Sequence, residues 1–195
     1  MHLKPLAAFA ALLALAGCAT TPTSRVTRFH LGEPIARGEI AVEPLVPADR
    51  GSLEYQTYAS IVGAELARIG FTEAPGLKQS EQVAVISVER GSRETLAQRS
   101  PVSVGLGGST GSYGGGVGLG ISFPIGKKRS NEIVVTRLAV QIKRRSEGTV
   151  IWEGRAETAA PAGSAAADPA TTVKMLASAV FRDFPGVSGR TITVK

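Results

Sequence analysis

Residues 132–157, EIVVTRLAVQIKRRSEGTVIWEGRAE, decide the fold because they encode two neighbouring strands and the turn between them. Apolar side chains recur at every second position of the first half, which predicts a half-buried strand over 132–144. Ser146-Glu147-Gly148 fits a three-residue hairpin loop with glycine in the left-handed position. The second strand then places Trp152, the only tryptophan of the chain, on its inward face.

The loop length sets the register of this hairpin. Ile142 is expected opposite Trp152 on the inward face, and Arg137 is expected opposite Glu157 on the outward face. One face of the hairpin is therefore apolar and packs in a core, whereas the other face is charged.

Further strands and two helices flank the hairpin. Short apolar runs bounded by turn residues predict strands over 26–31, 38–45, 82–89 and 190–195. Ser52 fits the N-cap of a helix that ends at Gly70, and Asp168 followed by proline fits the start of a second helix. This order of elements predicts an α+β fold, a two-layer sandwich in which a mainly antiparallel β-sheet carries two helices on one face.

The N-terminus carries the pattern of a bacterial lipoprotein signal. The apolar run over residues 6–16 is shorter than the roughly 20 residues that cross a bilayer, which indicates a secretory leader. Leu15, Ala16 and Gly17 precede Cys18, the only cysteine, in a pattern that resembles the lipobox read by lipoprotein signal peptidase. We expect residues 1–17 to be a signal peptide that is removed, and Cys18 to be acylated.

The mature chain is predicted to form one domain behind a short tether. Residues 18–27 are rich in Thr, Ser and Pro and predict a lipid-anchored tether. Residues 28–195 predict a single α+β domain, because their number suits one hydrophobic core. With Cys18 acylated, no thiol remains for a disulfide or for thiolate metal binding, so we expect packing alone to stabilise the fold.

Composition restricts the partners. The net charge of +6 favours anionic surfaces such as phospholipid headgroups, although a charge of this size also serves solubility alone. We expect the partners to be the membrane, through the N-terminal acyl anchor, and an envelope protein. Nucleic acid is not expected at this location. No nucleotide is expected, because Gly126-Lys127-Lys128 lacks the glycine and the hydroxyl residue that a phosphate loop requires.

A glycine-rich hairpin is predicted as an excursion from the domain at 101–125. Val-Gly-Leu-Gly occurs twice in it, and apolar residues alternate with glycine or serine in both halves. The apolar residues of this candidate contact hairpin are Val102, Val104, Leu106, Val117, Leu119, Ile121 and Phe123. Three interpretations stay open: a surface hairpin that extends the core or covers a sheet edge, a contact patch for protein or lipid, and a spanning hairpin in an oligomeric barrel.

No catalytic, metal or cofactor site is predicted, and we expect the protein not to be an enzyme. His30 is the only histidine after the leader, and a metal site needs several clustered ligands, so we interpret His30 as structural. The three aspartates, Asp49, Asp168 and Asp183, have structural explanations in a turn, a helix cap and a helix end. Glutamates that meet in space remain the alternative for acid and base chemistry.

Several of these motifs together resemble one known family. They are the lipobox, the helix end Leu66-Ala67-Arg68-Ile69-Gly70-Phe71, the glycine-rich middle, and Thr136-Arg137-Leu138 with VIWEGRA at 150–156. The pattern resembles the small proteobacterial lipoproteins of domain-of-unknown-function family 4136 over most of the mature chain. The stretch before Ser52 departs from the family, in which an aromatic-rich opening motif is frequent. The resemblance implies an uncharacterised, periplasm-facing lipoprotein without assigned catalytic residues.

The first functional hypothesis is a non-enzymatic, lipid-anchored envelope protein that binds a partner or supports envelope assembly. Ala19 instead of aspartate follows the acylated cysteine, which by analogy with lipoprotein sorting favours the inner leaflet of the outer membrane, facing the periplasm. A second hypothesis is an oligomeric outer-membrane pore or transport accessory that uses the glycine-rich hairpin. A third is a hydrolase that acts on envelope polymers.

Overall fold

The computed structural model describes residues 22–74, 80–94 and 132–195. In these residues two α-helices, α1 and α2, span Leu53–Arg68 and Pro169–Phe181. Seven strands of the described chain form one sheet: β1 Ser24–His30, β2 Glu39–Pro44, β3 Thr72–Glu73, β4 Gln82–Glu94, β5 Glu132–Arg144, β6 Val150–Pro161 and β7 Thr191–Val194. The glycine-rich hairpin predicted at 101–125 lies outside the described residues.

The strands are ordered β3-β2-β4-β5-β6-β1-β7 across the sheet. Neighbours from β4 across to β7 are antiparallel, whereas β2 lies parallel to both β3 and β4. Parallel neighbours need a long crossover, and α1 lies in the connection from β2 to β4. Both helices pack on one face of the sheet. The predicted α+β fold with a mainly antiparallel sheet is confirmed.

The central hairpin of β5 and β6 has the predicted register. Ile142 pairs with Trp152, and Arg137 pairs with Glu157. Gly148 in the loop has a φ of +68°, the left-handed conformation that favours glycine. The register shifts by one residue between Ile142 and Lys143, and the loop spans residues 145–149, longer than the predicted Ser146-Glu147-Gly148.

Strand ends differ from the predictions in several places. β1 begins at Ser24, inside the segment 18–27 that the composition predicts to be a tether. β4 continues to Glu94 and β6 continues to Pro161, because both strands follow β5 along its length. β3 is not predicted, since two residues carry no periodicity. Pairing with distant strands, more than local composition, sets these ends.

Both helices begin at the predicted caps. The Tyr55 N–H donates to Ser52 Oγ at 3.0 Å, and the Thr171 N–H donates to Asp168 Oδ2 at 2.9 Å. Each cap thus satisfies a backbone donor that has no partner inside its helix. Gly70 follows α1 with a φ of +100°, as expected of a glycine that ends a helix.

Trp152 is fully buried at the centre of the core between the helices and the sheet. Its ring stacks on Phe181 with 5.5 Å between the ring centroids, and the centroid of Phe184 lies 5.1 Å away. Its Nε1–H donates to the Pro185 carbonyl at 3.0 Å. Gly154 makes room for this ring, because a Cβ atom there would lie 2.3 Å from Trp152 Cη2.

Candidate functional site

The residues predicted to be lipidated or to form the contact hairpin lie outside the described residues. They are Cys18, its recognition residues Leu15, Ala16 and Gly17, and the apolar residues of the candidate contact hairpin between Val102 and Phe123. The described chain does show where both segments join the domain. These junctions define the candidate functional end of the molecule.

The N-terminal junction lies at one end of the sheet. Ser24 opens β1, and Thr158 Oγ1 of β6 donates to the Thr23 carbonyl at 2.8 Å, which holds the entering chain against β6. Thr158 pairs with Thr136 of β5, so the two residues lie at one level of the sheet. We call this end of the sheet, from which the chain leads back to Cys18, the anchor end.

The glycine-rich segment joins the domain at the anchor end as well. Thr136 pairs with Arg90 of β4, and both strands continue past this level to the paired residues Glu94 and Glu132. At about 3.3 Å per residue, this extension carries the two strands about 13 Å beyond Thr136. Glu94 and Glu132, the described residues on either side of 95–131, therefore lie at the same end of the sheet as Ser24.

A cavity of about 400 Å³ lies near the anchor end, between the start of α1 and β4. The Tyr55 hydroxyl donates to the Val42 carbonyl at 2.8 Å, and the Tyr58 hydroxyl donates to Glu54 Oε1 at 2.7 Å. Burial is the main cause that raises the pKa of both phenols, so both remain hydrogen-bond donors at neutral pH. The cavity lining therefore combines apolar side chains, such as Leu45 and Ile86, with polar groups held by hydrogen bonds.

Carboxylates also line this cavity, which bears on the hydrolase hypothesis. They are Asp49, Glu54 and Glu89. Glu54 accepts the hydrogen bond from Tyr58, and Glu89 lies 3.3 Å from the Arg137 guanidinium. Two of these carboxylates are therefore engaged in structural contacts, whereas a general acid or base must reach the reacting group of a substrate.

The sheet face opposite the helices is charged. Arg25, Glu157, Arg137 and Glu89 lie side by side on β1, β6, β5 and β4, and we call them the charged row. The Arg137 guanidinium lies 2.6 Å from Glu157 and 3.3 Å from Glu89. Its hydrogen bond to Glu157 is the largest cause that raises the pKa of Arg137. The sequence predicts the pair of Arg137 and Glu157, but its local spacing does not reveal that β1 and β4 complete the row.

His30 is structural, as its sequence context predicts. The Gly32 N–H donates to His30 Nδ1 at 3.1 Å. His30 Nε2 therefore carries the proton and donates to the Gly186 carbonyl, 3.2 Å away. Both ring nitrogens have protein partners, which leaves neither of them directed at a substrate.

Arg28 is a buried cation that the sequence interpretation missed. It is 4% exposed, and its guanidinium donates to the carbonyls of Ala179 and Val180, both at 2.8 Å. Arg28 thus caps the C-terminal end of α2. Burial lowers the pKa of Arg28, and the charge of Asp183 opposes that shift. Its position in phase with buried Val26 on β1 is the signal that could have revealed it.

Within residues 22–74, 80–94 and 132–195, no group of three His, Cys, Asp or Glu side chains is placed to hold a metal ion. Neither described helix combines the length and the apolar character that crossing a bilayer requires.

Two solved structures align with the chain at low similarity. A PelC dodecamer from Paraburkholderia phytofirmans aligns with a TM-score of 0.43 and 15% identity, over 81% of this chain and 94% of that chain. A PDZ domain protein from Parabacteroides distasonis aligns with a TM-score of 0.44 and 14% identity, over 96% of this chain and 42% of that chain. At these scores the alignments carry no argument about function or assembly.

Sequence similarity is more informative. An uncharacterized protein of Zymomonas mobilis subsp. mobilis is 33% identical to this chain, over 96% of this chain and 84% of its own length. The family model described as "Domain of unknown function (DUF4136)" matches residues 41–186, which include both helices and the central hairpin. The chain therefore belongs to the DUF4136 family of domains of unknown function.

Proposed function

We propose that this protein is a non-enzymatic module of the bacterial cell envelope, anchored through acylated Cys18, that binds a partner or supports envelope assembly at the membrane. Its site is the anchor end of the sheet. Ala19 after the cysteine supports the inner leaflet of the outer membrane as its location, facing the periplasm. The family assignment is compatible with this role and names no activity.

The observation that carries the proposal is the position of the junctions. From Cys18 to Ser24 the fully extended chain reaches at most about 21 Å. Because β1 already begins at Ser24, a lipid on Cys18 holds the anchor end within about 20 Å of the membrane surface. Glu94 and Glu132 then face the membrane too, and we assign residues 101–125 the role of a contact hairpin for lipid or a membrane-bound partner.

The anchor is tested by replacing the acyl acceptor. Cys18→Ser should abolish lipidation, because the acceptor must be a thiol, and the variant should accumulate as soluble protein or as uncleaved precursor. The measurement is membrane fractionation after a high-salt wash. Variant protein that stays in the membrane fraction with its leader removed would refute the assignment.

The orientation is tested with single cysteines that carry a fluorescent label. Cys18 is the only native cysteine, so Ser92→Cys near the anchor end and Thr149→Cys at the far end of the sheet each provide one free thiol in the lipidated protein. In vesicles with quencher-bearing lipids, we expect stronger quenching for the label at position 92. Equal or reversed quenching would contradict the proposed orientation.

The size of the detergent-extracted protein separates this proposal from the pore alternative. A binding module should run as a small species, whereas a pore should form a heat-stable multimer that is lost when Val102 to Phe123 are deleted. The deletion also shows whether a crosslinked partner depends on this segment. Loss of a partner without loss of a multimer supports the contact role.

A hydrolase of envelope polymers is a second candidate, and the carboxylate-lined cavity is the observation that favours it. Among the three carboxylates that line the cavity, Asp49 is the one whose side chain accepts no hydrogen bond from the described residues. If the cavity were catalytic, purified protein should release fragments from peptidoglycan, and Asp49→Asn should abolish the release. Equal release by both proteins, or none, would remove this candidate.

A further inference from the structure

The sheet face opposite the helices presents a regular surface on four neighbouring strands. β1, β6, β5 and β4 are consecutive in the sheet, and both described helices pack against the other face. Between the levels of Arg25 and Phe29 on β1, the side chains on this face are exposed or half-buried, and Phe29, for example, is 47% exposed. We call this surface the open face.

Cross-strand pairing arranges the open face in three rows. The first is the charged row of Arg25, Glu157, Arg137 and Glu89. The second contains, in the same strand order, Thr27, Arg155, Ala139 and Ser87. The third contains Phe29, Glu153, Gln141 and Val85. The sign of the charge alternates along the first row, and the other two rows carry one charged residue each.

We propose that the open face binds the open face of a second copy of this chain, around a two-fold axis that lies parallel to the strands between β5 and β6. Such an axis reverses the strand order of the second copy and leaves each row at its own level. In the charged row, Arg25 then faces Glu89 of the second copy, and Glu157 faces Arg137. Every contact of this row joins opposite charges.

The same two-fold axis also brings compatible residues of the other two rows together. In the second row, Thr27 faces Ser87 and Arg155 faces Ala139 of the second copy. In the third row, the apolar side chains of Phe29 and Val85 meet.

The remaining contact of the third row joins Glu153 to Gln141 of the second copy, a carboxylate with an amide. Like charges therefore face each other at none of the twelve positions, and the two open faces are complementary in charge.

The charge pattern also favours this axis over a two-fold axis perpendicular to the strands. A two-fold axis along the charged row would place Arg25 on Arg25 and Glu157 on Glu157, which is repulsive. The axis parallel to the strands keeps the anchor ends of both copies on the same side. Two copies paired in this way can both be acylated in one membrane leaflet, and this second argument rests on the proposed anchoring.

The expected dimer is weak in solution and favoured on the membrane. Its ion pairs sit at a hydrated surface, so salt should screen them. Confinement to a membrane raises the effective concentration of each copy for the other, which compensates for a modest affinity. Association should therefore be measured on vesicles and at more than one ionic strength.

A charge-swap experiment tests the pairing. Full-length lipidated protein carries a donor or acceptor dye on Thr149→Cys, and energy transfer between copies is measured on vesicles at low protein density. In wild type we expect transfer above the level of randomly distributed protein, falling toward that level as salt rises from about 0.05 M to about 0.5 M.

Arg25→Glu alone should lose this transfer, since the new carboxylate faces Glu89 of an identical copy. Glu89→Arg alone should also lose the transfer, since the new guanidinium faces Arg25 of an identical copy. A mixture of donor-labelled Arg25→Glu with acceptor-labelled Glu89→Arg should regain it, because both contacts then join opposite charges. The double variant should regain it with itself.

Restoration in the mixture is the decisive outcome, because a folding defect in either variant would not be repaired by the other. Random-level transfer in wild type, or failure of the mixture and the double variant to regain it, would overturn the dimer. Flotation of the vesicles tests the anchor separately. If the protein does not float, the anchoring proposal fails, and the same charge-swap series is run in solution by analytical ultracentrifugation.

Discussion

At the residue scale, Trp152 joins the central hairpin to α2. Its ring is fully buried against Phe181 and Phe184, and its Nε1–H donates to the Pro185 carbonyl. Trp152→Ala should lower the free energy of unfolding by about 3–5 kcal/mol, because it removes the largest buried ring and leaves a cavity. Urea denaturation followed by circular dichroism measures this loss.

Trp152→Phe is the matched control for this prediction. It keeps an aromatic ring in the core and removes the hydrogen bond to Pro185, so its loss of stability should be smaller. For wild type, a native emission maximum like that of free tryptophan in water would contradict the buried position of Trp152.

Gly154 is a second residue whose role is set by close packing. An added Cβ would lie 2.3 Å from Trp152 Cη2 and 2.6 Å from Val180 Cγ2. Gly154→Ala should therefore destabilise the domain by about 1–3 kcal/mol through overpacking. Gly91→Ala is the control, because a Cβ there would have no atom of the described residues within 4 Å, and the stability of the domain should change little. Similar melting temperatures for both variants would argue against the tight contact.

At the element scale, α2 begins at Asp168, an N-cap whose carboxylate can be protonated. The backbone hydrogen bond from Thr171 is the main cause that lowers the pKa of Asp168. A carboxylate whose pKa is lower in the folded state stabilises the protein above its unfolded pKa of about 3.9, and this contribution disappears as the pH falls through the folded value. The melting temperature of wild type should thus fall relative to that of Asp168→Asn below about pH 4.

Asparagine at this position still caps the helix but does not titrate, which makes it the matched variant. Ser52→Ala at the start of α1 provides the contrast. It should cost about 1 kcal/mol, without the dependence on acid pH, because the serine hydroxyl does not ionise in this range. Parallel pH profiles of wild type and Asp168→Asn would show that the carboxylate does not stabilise α2.

At the scale of the whole molecule, we expect the core to fold without the glycine-rich segment. Glu94 and Glu132, the described residues on either side of it, are already paired across β4 and β5. Deleting Val102 to Phe123 and joining the ends with a short Gly-Ser turn should therefore leave a folded domain, because no described core residue is removed. Cooperative thermal unfolding of the deleted protein is the measurement. An unfolded product would show that the segment belongs to the core.

The two faces of the sheet differ in composition. The face against the helices holds the apolar core, whereas the open face holds the charged row. Both faces are formed by the same strands, since successive side chains of a strand point to opposite sides of the sheet. Stability and the proposed pairing of the open faces should therefore respond independently to substitutions one position apart on the same strand.

The sequence by itself determined the features that depend on near neighbours. The register of Ile142 with Trp152, the left-handed Gly148 and the caps Ser52 and Asp168 all follow from spacings of a few residues. A short loop leaves few registers open, and a cap depends only on the first turn of its helix. The same local reading predicts the lipidation signal at Cys18, which stays a prediction.

Only the tertiary structure decided which distant strands became neighbours. The parallel placement of β2 beside β4, the buried Arg28 on the end of α2 and the charged row from Arg25 to Glu89 all join residues far apart in the chain. No local periodicity encodes such pairings, because they form when separate apolar faces are buried together in one core. The junctions at the anchor end, and with them the candidate functional site, depend on this long-range arrangement.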